Sequence, residues 1–375
     1  MKGLYIHIPF CRQACRYCDF YFSVTLHKMD EFVARLVEEI ETCGKRYPAQ
    51  ILDTLYLGGG TPSLLSPKQL DWILEAVHGN FSFRDNPEVT MECNPDDLDA
   101  AFPAMIKGRG FNRLSIGVQS FHEKELQLMR RSHNAEQAKE SVKRAASAGF
   151  DNITLDLIYG IPGQSAAGWE ENVNQALSLP ISHLSAYHLT FEKGTLFDHW
   201  RRKGRLIPVH EDESVSFYRL LRERALSAGF DHYEISNFAL PGKMSQHNLL
   251  YWSGLPYLGV GPSAHSFDGS QRSWNIASLK KYMEGISRGL SISESEELSP
   301  EEQYHDYLIT TLRTRWGADP NQIDHRFGEE IKNHFDLRSR PFLEEGTMWK
   351  PRAKIAIHPN HWLITDHILK ELFVD

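Results

Sequence analysis

A chain of 375 residues is two to three times the usual domain size, so one large domain or two are open. Hydrophobic residues at 41% and charged residues at 24% exclude wholesale disorder and fibrous repeats. The charge balance, 41 Lys plus Arg against 49 Asp plus Glu for a net −8, argues against a dominant phosphate-binding surface.

Met1 to Phe10 holds a Lys and a His and leads to no small-residue cleavage site, so no secretory signal is expected. The expected compartment is then the cytosol, where thiols stay reduced. Strands are predicted at Leu4–Ile8, Asp53–Leu57, Glu88–Glu92, Arg113–Val118, Ile153–Ile158 and His183–Leu189. Each is followed by an amphipathic helix candidate. The first, Asp30–Thr42, sets Phe32, Leu36 and Ile40 one turn apart on one face. The second opens on Ser66, Pro67 and Gln69, a capping-box spacing with proline at the first helical position. Later helices are expected at Leu98–Lys107, Asn134–Ala148, Ser165–Leu179 and Glu211–Ala228, the last three ending near Gly149, Pro180 and Gly229.

Successive βα units imply an α/β fold on a parallel sheet, either doubly wound or curled into a full or partial barrel. Both architectures place ligands at the C-terminal strand ends. The unusual residues of this chain fall there. Cys11 follows the first strand, Gly58-Gly59-Gly60-Thr61 the second, Glu92 the third, Gln119 the fourth and Tyr159-Gly160 the fifth.

Beyond Gly229 another short strand, His232–Ser236, is expected. It leads into Met244–Phe267, the longest stretch without Lys, Arg, Asp or Glu. Gly254, Pro256, Gly259, Gly261 and Pro262 interrupt that stretch, so it cannot be a lipid-exposed helix. The Ser/Glu-rich Ser291–Ser299 reads as a linker. From Glu296 the pattern changes to helix, loop, helix and a β-rich end at Ile355–Ile357 and Trp362–Thr365, which predicts a small α+β, winged-helix-like domain. The expected division is a core over 1–230, an extension over 231–295 and a C-terminal domain over 296–375. That tail holds 10 Lys plus Arg against 15 Asp plus Glu, so its winged-helix pattern does not imply a nucleic-acid partner.

Three of the five cysteines lie within eight residues, as Cys11-x3-Cys15-x2-Cys18. Three thiolates suit three corners of a cubane iron–sulfur cluster and leave the fourth iron open to a ligand. The competing reading is a structural zinc with His7 as fourth ligand, although no second cysteine knuckle is present. Cys43 and Cys93 read as packing cysteines.

Tyr5-Ile6-His7-Ile8-Pro9-Phe10-Cys11, the cysteine loop and Gly58-Gly59-Gly60-Thr61-Pro62 together resemble the radical S-adenosylmethionine (SAM) superfamily. The chain is similar in particular to the oxygen-independent coproporphyrinogen III oxidase group. The likeness continues through Glu92-Cys93-Asn94-Pro95, Gly117-Val118-Gln119-Ser120-Phe121, Arg131 and Asp156-Leu157-Ile158-Tyr159-Gly160. It implies a partial (β/α)6 TIM-like barrel with a HemN-type C-terminal domain. It also implies one [4Fe–4S] cluster on Cys11, Cys15 and Cys18, and SAM held by Tyr5, Gly59, Gly60, Thr61, Glu92, Gln119, Arg131 and Asp156. Chemically, bare glycines let carbonyls approach an ammonium, Arg131 can fork onto a carboxylate, and Glu92, Gln119 and Asp156 can bond ammonium or ribose hydroxyls. The structural alternatives are strand-end capping for Gln119 and Asp156 and a surface charge for Arg131.

The oxidases, as the resemblance implies, carry a fourth cysteine two residues after the third and a long N-terminal arm. This chain has Cys18-Asp19-Phe20, and Cys11 stands near its start. Both features resemble the HemW-type haem chaperones instead. His247-Asn248-x-x-Tyr251-Trp252 is similar to the HNxxYW haem-binding motif of those proteins. Imidazole is a common axial ligand and the aromatics can stack on a macrocycle. The competing reading is a His–Asn hydrogen-bonding pair in a buried loop, with His188, His265, His358, His361 and His367 as other candidate ligands. The resemblance implies haem as cargo, acceptor haemoproteins, an electron donor and a cytoplasmic site of action, with a peripheral membrane contact left open. The alternative function is coproporphyrinogen III oxidation or another radical reaction on a porphyrin.

Overall fold

The computed structural model describes residues 1–374. Six strands alternate with helices in the expected order: β1 (Gly3–Ile8), α1 (Met29–Arg46), β2 (Ile51–Gly59), α2 (Pro67–Asn80), β3 (Ser82–Cys93), α3 (Phe102–Lys107), β4 (Arg113–Gln119), α4 (Glu123–Met129), α5 (Ala135–Ser147), β5 (Ile153–Tyr159), α6 (Ala166–Leu177) and β6 (His183–His188). The cap read from sequence on α2 is formed, and the structure adds a second on α5. Ser66 and Gln69 close a capping box on α2, and Asn134 and Gln137 close one on α5. Strands β1 to β6 pair in chain order, all parallel. A doubly wound sheet would reverse its order at a switch point, so the consecutive order selects the partial barrel.

The two faces of each strand differ in chemistry. Leu4, Ile6, Ile8, Leu55, Leu57, Met91, Leu114, Ile116, Leu155, Leu157 and Leu184 are buried in one apolar core with helix residues such as Phe32, Leu36 and Ile40. The alternate residues, among them Tyr5, Tyr56, Thr90, Glu92, Ser115, Asp156 and Ser185, face the other way, as the two-residue period of a strand requires. The helices therefore form an outer layer over apolar strand faces, and the concave face is polar.

The remaining elements extend this sheet at both sides. After α7 (Leu196–Arg202) and α8 (Glu211–Ser227), the antiparallel pair β7 (Asp231–Glu234) and β8 (Asn237–Ala239) adds to β6. Helix α9 (Gln246–Trp252) leads to β9 (Tyr257–Val260), which pairs parallel with β1. Then come β10 (His265–Phe267), β11 (Gln271–Asn275), α10 (Leu279–Ser287) and β12 (Ser293–Glu297). The Gly/Pro-rich stretch is thus a short helix and two strands. The expected linker is in part an edge strand, antiparallel to β11. Buried Glu39 holds this side together, accepting from Gly261 N at 2.7 Å, Asn275 Nδ2 at 2.6 Å and Tyr282 OH at 2.5 Å.

The C-terminal part contains α11 (Pro300–Leu312), α12 (Pro320–Phe327), α13 (Glu329–Glu344), the short pair β13 (Met348–Trp349) and β14 (Ala356–Ile357), and α14 (Thr365–Leu372). These elements share a second core around Tyr304, Leu308, Phe335, Trp362 and Ile368. The segment read as a strand at Trp362–Thr365 is 3-10 helix over Pro359–Ile364 running into α14, because His358 accepts from Asn360 N at its start and Pro359 presets the turn. Among the described residues no helix is long and apolar enough to cross a membrane.

Candidate functional site

The cysteine loop leaves β1 at the barrel rim and is anchored from several sides. Cys11 N donates to Ser23 O at 3.0 Å, and Arg12 pairs with Asp97 at 2.6 Å. Helix α4 supplies the other anchor. Its last carbonyls lack partners within the helix, and the cysteine loop takes them: Arg16 N bonds Met129 O, while the Arg16 guanidinium bonds Gln127 O and Leu128 O. Arg130 then turns left-handed, at φ 58°, and its carbonyl accepts from Gln13 Nε2 at 3.0 Å. That turn sends Arg131 back beneath the loop.

All three thiols line the C-terminal end of one cavity of about 560 Å³, which runs down the concave face past Thr90 and Thr154 to Arg113, His183 and Asn248 near the N-terminal strand ends. Its size is within the roughly 300–1,000 Å³ usual for small-molecule sites. Thr61 Oγ1 donates to Cys11 Sγ at 3.6 Å, and Arg131 Nη1 stands 3.5 Å from Cys15 Sγ. Burial first, and then the neighbouring Cys15, push both the Cys11 and Cys18 thiols up, Cys18 to about 12, against the Thr61 hydrogen bond on Cys11. Among the described residues no three His, Cys, Asp or Glu side chains converge on a point for a single metal ion. A cubane binds its thiolates through different irons, so it does not require such convergence. The zinc alternative also lacks its fourth ligand here. His7 is buried, with Nδ1 against Tyr5 OH at 3.2 Å and Nε2 against Tyr21 O at 2.9 Å.

Beside the thiols stand two half-buried carboxylates and one half-buried guanidinium. Glu92 accepts from Tyr56 OH at 2.8 Å and Gly59 N at 2.9 Å; burial still raises its pKa. Burial and the Glu92 charge lift Asp156 to about 7 against the opposing Ser115 hydroxyl. Two such acids favour a cationic ligand. Burial works against the Arg131 charge, but Tyr17 and Cys15 beside it keep its pKa raised. Its Nη2 bonds Asn94 Oδ1 and Gly117 O, both at 2.7 Å, and its buried Nε has no partner. Gln119 adopts φ 69°, where the β4–β5 register slips. A non-glycine residue held there costs about 1–3 kcal/mol, and such strain is common at binding sites.

The structure brings Cys11, Cys15, Cys18, Gly59, Gly60, Thr61, Glu92, Gln119, Arg131, Asp156 and Asn248 to this cavity. Tyr5 lies beneath it, packed against His7, Tyr56 and His247. His247, Tyr251 and Trp252 do not line it. Helix α9 crosses near the N-terminal strand ends, where His247 N donates to Glu88 and Arg113 donates to Lys243 O. The His247 ring is 1% exposed, with Nδ1 2.6 Å from Thr54 Oγ1 and Nε2 2.8 Å from Tyr251 OH. Burial lowers its pKa to about 3, so the ring is neutral. In this conformation neither ring nitrogen is free for an iron. The buried hydrogen-bonding alternative describes the geometry, with Thr54 and Tyr251 as partners in place of Asn248. His188 lines the cavity, with Nε2 3.0 Å from Ser214 Oγ; His265, His358, His361 and His367 do not. Sequence reasoning missed Tyr17, Tyr56 and Asn94 as site residues. For Tyr56 the available signal was its place on the concave-face parity of β2, and for Asn94 its place just past the end of β3, next to Glu92.

A parallel partial barrel whose first strand delivers a three-thiol loop to its rim is the architecture of a radical SAM protein. The radical SAM superfamily model matches residues 5–176. Over 361 residues, 95% of each chain, the protein is 35% identical to "heme chaperone HemW" of Bacillus subtilis. It is 31% identical to the protein of that name from Lactococcus lactis over all of this chain and 98% of the other. The protein of that name from Escherichia coli is 36% identical over 70% of this chain and 69% of its own. Among solved structures, coproporphyrinogen III oxidase (HemN) of Escherichia coli superposes with a TM-score of 0.86 at 22% identity, covering 99% of this chain and 90% of that one. The chain belongs to the HemW family of the radical SAM superfamily.

Proposed function

We propose that this protein is a haem chaperone that binds haem and delivers it to acceptor haemoproteins in the cytosol. The observation that carries the reading is the likeness to haem chaperones along both chains, 35% identity over 95% of each. The fold likeness to the oxidase, at 22% identity, does not discriminate between the two functions. The local sequence does: Phe20, exposed at the cavity mouth, stands where the oxidase pattern has a fourth cysteine.

The donor set fits one [4Fe–4S] cluster on Cys11, Cys15 and Cys18 and SAM beside it. The cluster, when bound, supplies an electron able to break a sulfonium carbon–sulfur bond. The protein's part is recognition. Glu92 and Asp156 are the anions available to an ammonium and ribose hydroxyls. Arg131 is the cation available to a carboxylate, and its Nε is the donor without a partner. Gly59 and Gly60 line the cavity, but the space a side chain would take is filled by the His7 ring and the Phe10 backbone, so their bareness lets β1 and the cysteine loop lie close to this run. An external electron donor completes the set. The test is paired: the anaerobically reconstituted protein receives haemin in one tube, and coproporphyrinogen III with SAM and reductant in another. Stoichiometric haem binding without porphyrin decarboxylation supports the proposal. Decarboxylation without haem binding would replace it with the oxidase function.

A further inference from the structure

We infer that His247, acting through Tyr56, is a positioning residue for Glu92, so that the barrel floor sets the carboxylate at its rim. The inference rests on the proposed binding of SAM beside Glu92.

Three elements make the path. Thr54 and Tyr56 are two residues apart on β2 and so share its concave face. His247, arriving from α9, is bonded to Thr54 through Nδ1 and to Tyr251 through Nε2, which fixes the ring in two directions. Held in this way it lies over Tyr56, with ring centroids 5.0 Å apart and planes at 31°. Tyr5 packs against the same phenol at 5.9 Å. Tyr56 is therefore wedged between rings, and its hydroxyl reaches Glu92 Oε1 at 2.8 Å. A Cβ on Gly58 would lie 2.8 Å from the Tyr56 ring and 2.9 Å from the Glu92 carboxyl, so only glycine there permits the contact. The second Glu92 oxygen takes Gly59 N, from the glycine run itself.

This geometry gives His247 a task besides any contact with haem. Without the imidazole, the Tyr56 ring loses one wall and its hydroxyl is no longer held on the carboxylate. Glu92 then keeps a single donor. It becomes freer to rotate and harder to ionise, since the Tyr56 and Gly59 hydrogen bonds are what oppose its burial. The other titratable groups that feel the Glu92 charge are Asp156, Cys11, Cys93, Tyr5 and Tyr251.

The experiment measures SAM affinity by isothermal titration of the full-length, cluster-loaded protein, in wild type, His247→Ala, Tyr56→Phe and the double variant. Tyr56→Phe keeps the ring and removes one oxygen, so it remains informative where His247→Ala unfolds. Each single variant should bind SAM about 5- to 20-fold more weakly. The double variant should be no weaker than the worse single, because both substitutions break the same path. In Tyr56→Phe the pH midpoint of binding should move upward. Wild-type SAM affinity and pH midpoint in Tyr56→Phe would overturn the inference, as would losses that multiply in the double variant. If wild type itself binds no SAM, the underlying reading fails, and this inference with it.

Discussion

Replacing Gly60 by alanine tests how closely the cysteine loop lies against the end of β2. A Cβ there would stand 2.7 Å from Phe10 O, 2.8 Å from Ile8 O and 2.9 Å from Phe10 N. All three are backbone atoms of the segment that runs into Cys11, so no side-chain rotation relieves the overlap. The strand end must shift, and the 2.9 Å bond from Gly60 N to Ile8 O shifts with it. Overpacking of this kind costs about 1–3 kcal/mol, and a weakened backbone bond adds on the order of 1 kcal/mol. Gly79, inside α2 with nothing within 4 Å of its Cβ position, is the control. There alanine removes backbone freedom from the unfolded chain and should stabilise by up to about 1 kcal/mol. The same methyl group thus has opposite signs at two glycines. The assay is thermal unfolding of the apo proteins, with iron and sulfide per chain after anaerobic reconstitution. Gly60→Ala should melt lower and take up less iron, whereas Gly79→Ala should melt at or above wild type with full iron. A Gly60→Ala protein matching wild type in both would refute the packing argument.

Three further outcomes are expected. Replacing Cys11, Cys15 and Cys18 together by alanine should abolish the broad visible absorption and the roughly four irons of a reconstituted [4Fe–4S] protein; a colourless wild type holding zinc would contradict this. Coproporphyrinogen III should emerge unchanged from incubation with protein, SAM and reductant, which product analysis by mass spectrometry checks. Asp156→Asn should stabilise the apo protein increasingly as pH rises from about 4 to 7. The wild-type acid, raised from 3.8 to about 7 in the fold, favours folding while protonated and loses that contribution as pH passes its folded pKa. The gain at pH 8 is at most about 4 kcal/mol, and denaturant melts showing none would contradict the assignment.

The barrel was legible because its signals are local. Apolar residues recur with period two in β1 to β6, and a capping box marks the start of α2. The rim was legible for the same reason, since each polar outlier follows its own strand. What stayed hidden depends on distance along the chain. The pairing of β1 with β9, Gly3 opposite Tyr257, has no local signature. Strand β12 reads as a linker because all five of its residues are exposed, so no apolar face marks it. The seat of His247 is of the same kind. Its motif suggests a haem ligand, but Thr54, 193 residues earlier, takes one ring nitrogen, and only the closed barrel brings the two together.

Haem delivery is the claim on which the account depends, and transfer to an acceptor measures it most directly. Haem-loaded protein is mixed with an excess of an apo-haemoprotein, and the rise of the acceptor's own spectrum is followed with and without a haem scavenger. The account predicts transfer that proceeds with the scavenger present and accelerates with acceptor concentration, as direct handover requires. Transfer that the scavenger abolishes, at a rate independent of the acceptor, would mean that haem is merely released, and would contradict the chaperone reading.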